Sequence, residues 1–142
     1  MTKTHYSAAN TNEMHQCGQL IAASLSVPSV VYLNGDLGAG KTTLVQGFAQ
    51  YFGYSDIVSS PTYNLIHEYP TSSAAIAHLD LYRLDDPEEL AMLGLADLLN
   101  ESSLLLIEWP EKGQNKIPTC NVLINIAYSS DKKGRDINVS YL

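Results

Sequence analysis

Hydrophobic and polar positions in the first third of the chain have alternately helical and strand-like spacing. Between Thr11 and Leu25 apolar residues recur every three or four positions, which predicts a helix with Thr11 or Asn12 as its N-cap. The apolar stripe of this helix comprises Met14, Cys17, Leu20, Ile21 and Leu25. The β-branched and aromatic segment 30–34 predicts a buried strand, and a second helical pattern follows it and ends before Gly53. The second helix is predicted to bury Leu44, Val45, Phe48 and Phe52.

The middle of the chain predicts two paired strands followed by an interrupted helix. Segments 63–69 and 76–82 alternate in polarity, which is typical of an antiparallel pair. Segment 85–89 combines an Asp cap, a proline at the first helical position and acidic residues in the first turn, which predicts a helix start. This helix is interrupted at Gly94 and continues over 95–99 at a new angle.

The last third predicts one central strand and a hairpin. The continuous apolar run 104–107 suits the middle of a sheet that is covered on both faces. Segments 122–128 and 137–141 alternate in polarity and predict a final hairpin. Together these elements predict one α/β domain over residues 1–142, with a mixed sheet flanked by antiparallel hairpins.

The segment between the first strand and the second helix matches the phosphate-loop pattern, a glycine and four variable residues before Gly-Lys-Thr. It consists of Gly35, Asp36, Leu37, Gly38, Ala39, Gly40, Lys41 and Thr42, followed by Thr43. Its glycines permit positive φ angles and a close backbone approach, so that N–H groups surround an anion at the helix start. Lys41 is predicted to reach the β- and γ-phosphates and the Thr42 hydroxyl to bind Mg²⁺. With its flanking elements, the loop predicts a three-layer domain of the phosphate-loop NTPase type.

Two carboxylates are candidates for the acidic residue that faces this Mg²⁺. Glu108 directly follows the apolar run, where a strand end delivers its carboxylate to the ligand-binding edge of the sheet. Asp80 lies in a more mixed strand, on the same strand face as His78. Two ligands without a third make a weak metal site, which favours a hydrogen-bonded role for His78. Trp109 fits either the core or a contact surface.

Composition narrows the classes of function. The chain has eight basic and fifteen acidic residues, a net charge of −7, which disfavours direct binding to nucleic acid and indicates that a partner holds any RNA. Cys17 and Cys120 are too few for a disulfide framework and are expected to be reduced thiols in a cytoplasmic protein. The N-terminus has no apolar run, so neither a signal peptide nor a membrane segment is predicted.

The chain also lacks the features of two common nucleotide-dependent classes. A GTPase would carry Asn-Lys-x-Asp, whereas the nearest match, 115–118, ends in proline. A small-molecule kinase normally clamps its phosphate with several arginines, whereas this chain has only Arg83 and Arg135. These absences favour an ATPase or a nucleotide switch that acts on another protein. A non-catalytic ATP sensor is the alternative, and a small-molecule kinase is the third possibility.

Five segments, in this order, resemble the TsaE family, the bacterial ATPase required for making threonylcarbamoyladenosine next to the anticodon of tRNA. These segments are 35–43, 60–63, 78–84, 86–90 and 108–111. The resemblance spans roughly residues 11 to 128. It implies that the protein works with the TsaB–TsaD pair, in which TsaD transfers the threonylcarbamoyl group, and that ATP hydrolysis resets this complex. The tRNA would be contacted only through the partners.

The resemblance also implies roles for individual residues. Thr42 and Glu108 would hold Mg²⁺, Lys41 and its loop would hold ATP, and Asp80 and Trp109 would be needed for activity. Thr62 would lie in a switch-like segment. Met14 stands where the family would have a small hydroxyl residue near the adenine, so Thr11 is the candidate contact there. Lys132 is the candidate contact from the last hairpin.

Overall fold

The structure is a computed structural model that describes residues 2–36, 38–58, 65–101 and 104–142. Its helices are α1 (Thr11–Ser24), α2 (Lys41–Tyr51), α3 (Glu89–Met92) and α4 (Leu95–Glu101). Its strands are β1 (Thr2–Ala8), β2 (Ser29–Asn34), β3 (Ile66–Pro70), β4 (Ala75–Asp80), β5 (Leu104–Glu108), β6 (Val122–Tyr128) and β7 (Arg135–Tyr141). Two single 3₁₀ turns, Pro110–Lys112 and Gln114–Lys116, lie between β5 and β6.

The strands form a seven-stranded sheet in the order β1-β7-β6-β2-β5-β4-β3. The four central strands are parallel, and an antiparallel strand or hairpin completes each edge. Every residue of β5 is buried, as expected for a parallel strand covered on both faces. The predicted mixed sheet and both predicted antiparallel pairs are confirmed.

Helices cover both faces of the sheet and give three layers, as predicted. One core cluster joins α1 and α2 to the sheet through large side chains such as Phe48, Ile21 and Leu106. The other core cluster places Leu90, Leu95 and Leu98 of α3 and α4 against the opposite face. Within the described residues, no helix is long and apolar enough to cross a membrane.

Helices α1 and α2 pack closely because a glycine lies on each side of their contact. A Cβ on Gly18 would collide with the carbonyl oxygen of Leu44, and a Cβ on Gly47 would collide with that of His15. The buried face of α1 is therefore turned toward Gly18 and Ala22. Leu20, predicted to be in the apolar stripe, is 56% exposed, so that prediction is wrong.

The N-cap of α1 also differs from the prediction. Asn10, not Thr11 or Asn12, caps the helix, and its side-chain oxygen accepts the Glu13 N–H at 2.9 Å. Glu13 in turn accepts the Ala9 N–H at 3.0 Å. The cap lies one residue earlier because strand β1, which was not predicted, extends the ordered chain to Ala8 and leaves Asn10 in an extended conformation.

The end of β4 and the start of α3 also differ from the prediction, because local hydrogen bonds turn the backbone there. Strand β4 ends at Asp80 rather than Tyr82, since the Asp80 carboxylate accepts the Tyr82 N–H at 3.1 Å and turns the chain. Helix α3 begins only at Glu89, after a turn in which Asp86 accepts the Glu88 N–H at 3.0 Å, so Pro87 is not its first helical residue. The interruption at Gly94 is confirmed, with a φ of +77°.

Candidate nucleotide-binding site

The predicted phosphate loop joins the end of β2 to the start of α2. Gly38 and Gly40 have φ angles of +81° and +103°, which side chains other than hydrogen rarely permit. A Cβ on Gly40 would also lie 2.9 Å from the Met14 methyl group, so α1 closes the loop from one side. Leu37 lies outside the described residues. Around Gly38 and Gly40 the backbone therefore has the tight, glycine-dependent path that the pattern predicts.

The start of α2 provides the anion-binding end of the loop. Helix α2 begins at Lys41, and its first turn contains no acidic residue. The Leu44 N–H donates to the Gly40 carbonyl at 3.0 Å, which leaves the preceding N–H groups without an acceptor inside the helix. These donors and the helix dipole favour an anion beside Lys41, Thr42 and Thr43.

Lys41 is a nearly buried cation at the base of the loop. Its side chain is 7% exposed, and Nζ donates to the Gly35 carbonyl at 2.8 Å. Nζ also lies 3.4 Å from Glu108 Oε1 and 4.7 Å from the centre of the Trp109 ring. The structure therefore brings together three residues that the sequence analysis assigned to the site from two separate segments.

Glu108 lies at the carboxyl end of β5 with both oxygens engaged. Oε1 faces Lys41, and Oε2 lies 2.6 Å from His78 Nε2. His78 Nδ1 in turn lies 3.1 Å from the Tyr69 hydroxyl. Burial by itself raises the pKa of Glu108, but the hydrogen bond and charge of His78, together with Lys41, hold this pKa below its ordinary value. Glu108 is therefore a buried carboxylate, and His78 is hydrogen-bonded as the sequence analysis favoured.

Asp80 lies beside Glu108 in the register of β4 and β5. Burial raises the pKa of Asp80, and the Glu108 charge adds to this increase against the lowering effect of the Tyr82 N–H. Within the described residues, no three His, Cys, Asp or Glu side chains are grouped closely enough to hold a metal alone. The hydroxyl of Thr42 and the carboxylate of Glu108 are the hard oxygen donors that Mg²⁺ prefers. They fit an ion that is completed by phosphate and water oxygens.

Trp109 directly follows Glu108 in a strained backbone conformation. Its φ and ψ angles are +56° and +52°, in the left-handed region. Its ring packs on Tyr82 with the centroids 5.0 Å apart. Among the described residues, its Nε1 is a buried donor without a hydrogen-bond partner. Both the strain and the unmatched donor are typical of a functional position.

Arg135 and Tyr128 hold the loop from the side opposite Glu108. Arg135 Nε donates to the Ala39 carbonyl at 2.9 Å, and Nη2 lies 3.4 Å from the Gly38 carbonyl oxygen. The Tyr128 hydroxyl contacts the same Gly38 carbonyl at 3.4 Å, and the guanidinium lies 4.0 Å from the centre of the Tyr128 ring. Neither residue could be assigned from the sequence, because both lie about 90 residues after the loop along the chain.

Two clefts flank the loop. One, of about 330 Å³, is lined by Ala8, Ala9, Asn10, Thr11, Met14, Gly38, Gly40, Thr43, Lys133, Gly134 and Arg135. The other, of about 430 Å³, lies beside Lys41, Trp109 and Asp36. The first cleft contains Thr11, the predicted adenine contact, whereas the last hairpin contributes Lys133 rather than Lys132. Thr62 lies outside the described residues.

The chemistry available at this edge of the sheet combines complementary groups. Backbone N–H groups and Lys41 suit a polyphosphate, while Thr42 and Glu108 suit its divalent cation. Arg135 is bound to the loop carbonyls, so it supports the binding loop from behind. This arrangement is suited to binding the polyphosphate of a nucleotide.

Comparisons with known proteins give the family. The family model "Threonylcarbamoyl adenosine biosynthesis protein TsaE" matches residues 8–137. A relative in Haemophilus influenzae, "tRNA threonylcarbamoyladenosine biosynthesis protein TsaE", is 51% identical over 108 residues, which cover 76% of this chain and 68% of the relative. A protein of the same name in Bacillus subtilis is 34% identical over 131 residues, covering 92% and 82% of the two chains.

A solved structure agrees with this relationship. The crystal structure of Bacillus subtilis YdiB superposes with a TM-score of 0.80 at 30% sequence identity, covering 99% of this chain and 86% of that one. The family model covers most of the chain, and the fold and the sequence relatives point the same way. The chain belongs to the TsaE family.

Proposed function

We propose that this chain binds Mg²⁺ and ATP and hydrolyses ATP slowly as a component of tRNA threonylcarbamoyladenosine biosynthesis. In this proposal it acts on the TsaB–TsaD complex in the bacterial cytoplasm and meets tRNA only through these partners. The single observation that carries the proposal is the contact of Lys41, at the base of the phosphate loop, with Glu108 at the end of the central strand β5.

Each group at the site has a task in this proposal. The loop N–H groups and Lys41 bind the β- and γ-phosphates, Thr43 and Thr11 border the cleft for the rest of the nucleotide, and Thr42 and Glu108 hold Mg²⁺. The bound ion would neutralise phosphate charge as it develops during hydrolysis. Lys41 and Glu108 neutralise each other when no nucleotide is present, so neither charge is buried alone.

Slow hydrolysis is expected because transition-state charge needs more stabilisation than Lys41 alone supplies. An arginine that reaches a transferring phosphate accelerates such reactions strongly. Arg135 is committed to the Ala39 and Gly38 carbonyls, and Arg83 is exposed at a turn after β4. A partner that supplies or repositions a cation would therefore raise the rate. The net charge of −7 favours a protein partner over direct contact with tRNA.

The test is phosphate release from ATP by the full chain, alone and with purified TsaB–TsaD, together with threonylcarbamoylation of tRNA. We expect weak release alone and a changed rate with the partners. Lys41→Ala should abolish both activities, and Lys116→Ala, on an exposed 3₁₀ turn, should leave both unchanged. Phosphorylation of a small metabolite would refute the proposal.

One further variant separates an ATPase from an ATP sensor. Glu108→Ala removes the carboxylate expected at Mg²⁺ while the loop still offers its N–H donors. If tRNA modification continues without ATP turnover, the protein is a sensor. Loss of both activities supports the ATPase.

A further inference from the structure

A network of four buried polar side chains leads from the phosphate loop across the sheet. It runs from Lys41 to Glu108 on β5, then to His78 on β4 and to Tyr69 on β3. The exposed fractions of these four side chains are 7%, 3%, 0% and 3%. Buried polar networks are retained only when their members are satisfied. His78 and Tyr69 lie two and three strands away from β2, which leads into the loop, so their place in this network needs a reason other than contact with a phosphate.

Strand register places the three inner residues on one face. Asp80 is opposite Glu108, and His78 precedes Asp80 by two residues, so His78 and Glu108 are diagonal neighbours. Tyr69 is opposite Ile76, which makes Tyr69 a diagonal neighbour of His78 on the next pair of strands. The register of the strands therefore sets the spacing of these side chains.

The short contact between Glu108 and His78 fixes which of these two side chains is the donor. The Tyr69 hydroxyl lies 3.1 Å from His78 Nδ1, within hydrogen-bond distance. Glu108 is a carboxylate, so His78 Nε2 must carry a hydrogen to approach Oε2 at 2.6 Å. The alternative, an Nε2 lone pair facing the carboxylate, would be repulsive.

We propose that His78, oriented by the Tyr69 hydroxyl, is a positioning residue that holds Glu108 for Mg²⁺. This inference rests on the proposed Mg²⁺ and ATP binding. The contact of Oε2 with His78 is 2.6 Å, whereas that of Oε1 with Lys41 is 3.4 Å. When phosphate draws Lys41 away, Oε2 stays with His78 and Oε1 is freed toward the metal.

Loss of the His78 contact would change how Lys41 and Mg²⁺ compete for Glu108. Both oxygens of Glu108 would then be free to turn toward Lys41, and Mg²⁺ would have to compete with a stronger ion pair. Residues that orient a metal ligand typically change metal affinity by about 10- to 100-fold when they are replaced. The effect should appear in the Mg²⁺ dependence of ATP binding and hydrolysis, and not in the binding of nucleotide without metal.

Three variants test the proposal in the full chain. Tyr69→Phe removes only the hydroxyl, and we expect the half-saturating Mg²⁺ concentration to rise about 3- to 10-fold, the value of one hydrogen bond. His78→Asn places its amide near Nδ1 and loses the donor to Glu108, so it should raise this concentration about 10-fold or more. His78→Gln can place an amide donor near Nε2 and should lie closer to wild type. Tyr141→Phe, which removes a hydroxyl bonded to Ser24 at 2.6 Å on distant β7, is the matched control.

Calorimetric titration of ATP at varied Mg²⁺, with ADP in EDTA as the metal-free reference, gives the readout. Thermal unfolding shows whether each variant is folded. If the His78 variants do not fold, the Mg²⁺ midpoint of Tyr69→Phe alone tests the proposal. A lower melting temperature with an unchanged Mg²⁺ midpoint in Tyr69→Phe would mean a structural role and would overturn the proposal. Wild-type protein that binds ATP equally with and without Mg²⁺ would instead refute the proposed metal site itself.

Discussion

Arg135 offers a direct test of how the last hairpin supports the phosphate loop. Its guanidinium donates to the Ala39 carbonyl at 2.9 Å and contacts the Gly38 carbonyl at 3.4 Å. In a peptide plane the carbonyl and the following N–H point in opposite directions. Holding the Ala39 carbonyl outward therefore turns the Gly40 N–H toward the position of the phosphates. Arg135→Ala should leave this peptide free to rotate.

The contacts set the size of the effect. A hydrogen bond from a charged donor contributes about 1.5–3 kcal/mol, and the half-buried position of Arg135 and the long second contact argue for the lower end. The stacking on Tyr128 adds about 0.5–1 kcal/mol. Part of this stabilises the fold rather than the binding conformation of the loop. We therefore expect the ADP and ATP dissociation constants to rise about 10-fold, or about 1.4 kcal/mol.

Calorimetric titration with ADP in EDTA measures the loop without the metal. Arg135→Lys keeps the charge but lacks the forked donors, so it should fall between wild type and Arg135→Ala. Lys116→Ala removes one exposed cation that pairs with Glu88 at 3.0 Å, and it controls for the change in net charge. Its dissociation constant should match that of wild type.

If Arg135→Ala binds ADP within about two-fold of Lys116→Ala, the loop keeps its binding conformation without the guanidinium. A fall in melting temperature with unchanged affinity would likewise assign Arg135 to the stability of the hairpin alone.

Three further predictions concern stability. Gly47→Ala gains about 1 kcal/mol of helix propensity, but its Cβ would meet the His15 carbonyl and cause overpacking that costs about 1–3 kcal/mol. The urea midpoint of unfolding should therefore fall. The control, Gln16→Ala at an exposed position of α1, should not lower it. Asp80→Asn should raise stability at pH 7 while lowering activity, since the raised pKa of Asp80 means that its charge opposes folding. This gain in stability should shrink as the pH falls through that pKa, and no gain at pH 7 would contradict the argument that partial burial disfavours the charge. The lowered pKa of Glu108 means that its charge favours folding, so wild type should be more stable than Glu108→Gln above the ordinary pKa of 4.5. This difference in unfolding free energy should vanish as the pH falls through the lowered pKa of Glu108 in the folded protein.

The sequence predicted the features that depend on neighbours along the chain. The loop, its strand and its helix are contiguous, so the glycines and Lys41 could be recognised together. Glu108 followed from one apolar run and the rule that parallel strands carry ligands at their carboxyl ends. The interruption at Gly94 and both antiparallel pairs also arise from local patterns.

Features that depend on distant contacts were not predictable in this way. Gly18 and Gly47 are unremarkable in their own helices, and only the close contact of α1 with α2 requires them. Exposed Leu20 follows from the same contact, which rotates the buried face of α1. Arg135 lies 96 residues after Ala39 in the sequence, so no spacing rule connects them.

Sheet order explains why the site has supports of two kinds. Strand β2, which leads into the loop, has β5 on one side and β6 on the other. On the β5 side, the Glu108 carboxylate lies against Lys41, where a metal and phosphates are expected, and His78 holds its other oxygen. On the β6 side, Tyr128 and Arg135 contact the Gly38 and Ala39 carbonyls of the loop, which fixes the direction of the following backbone N–H groups. The phosphate loop therefore supplies the phosphate-binding atoms, and the strands on either side determine where those atoms point and add the Glu108 carboxylate.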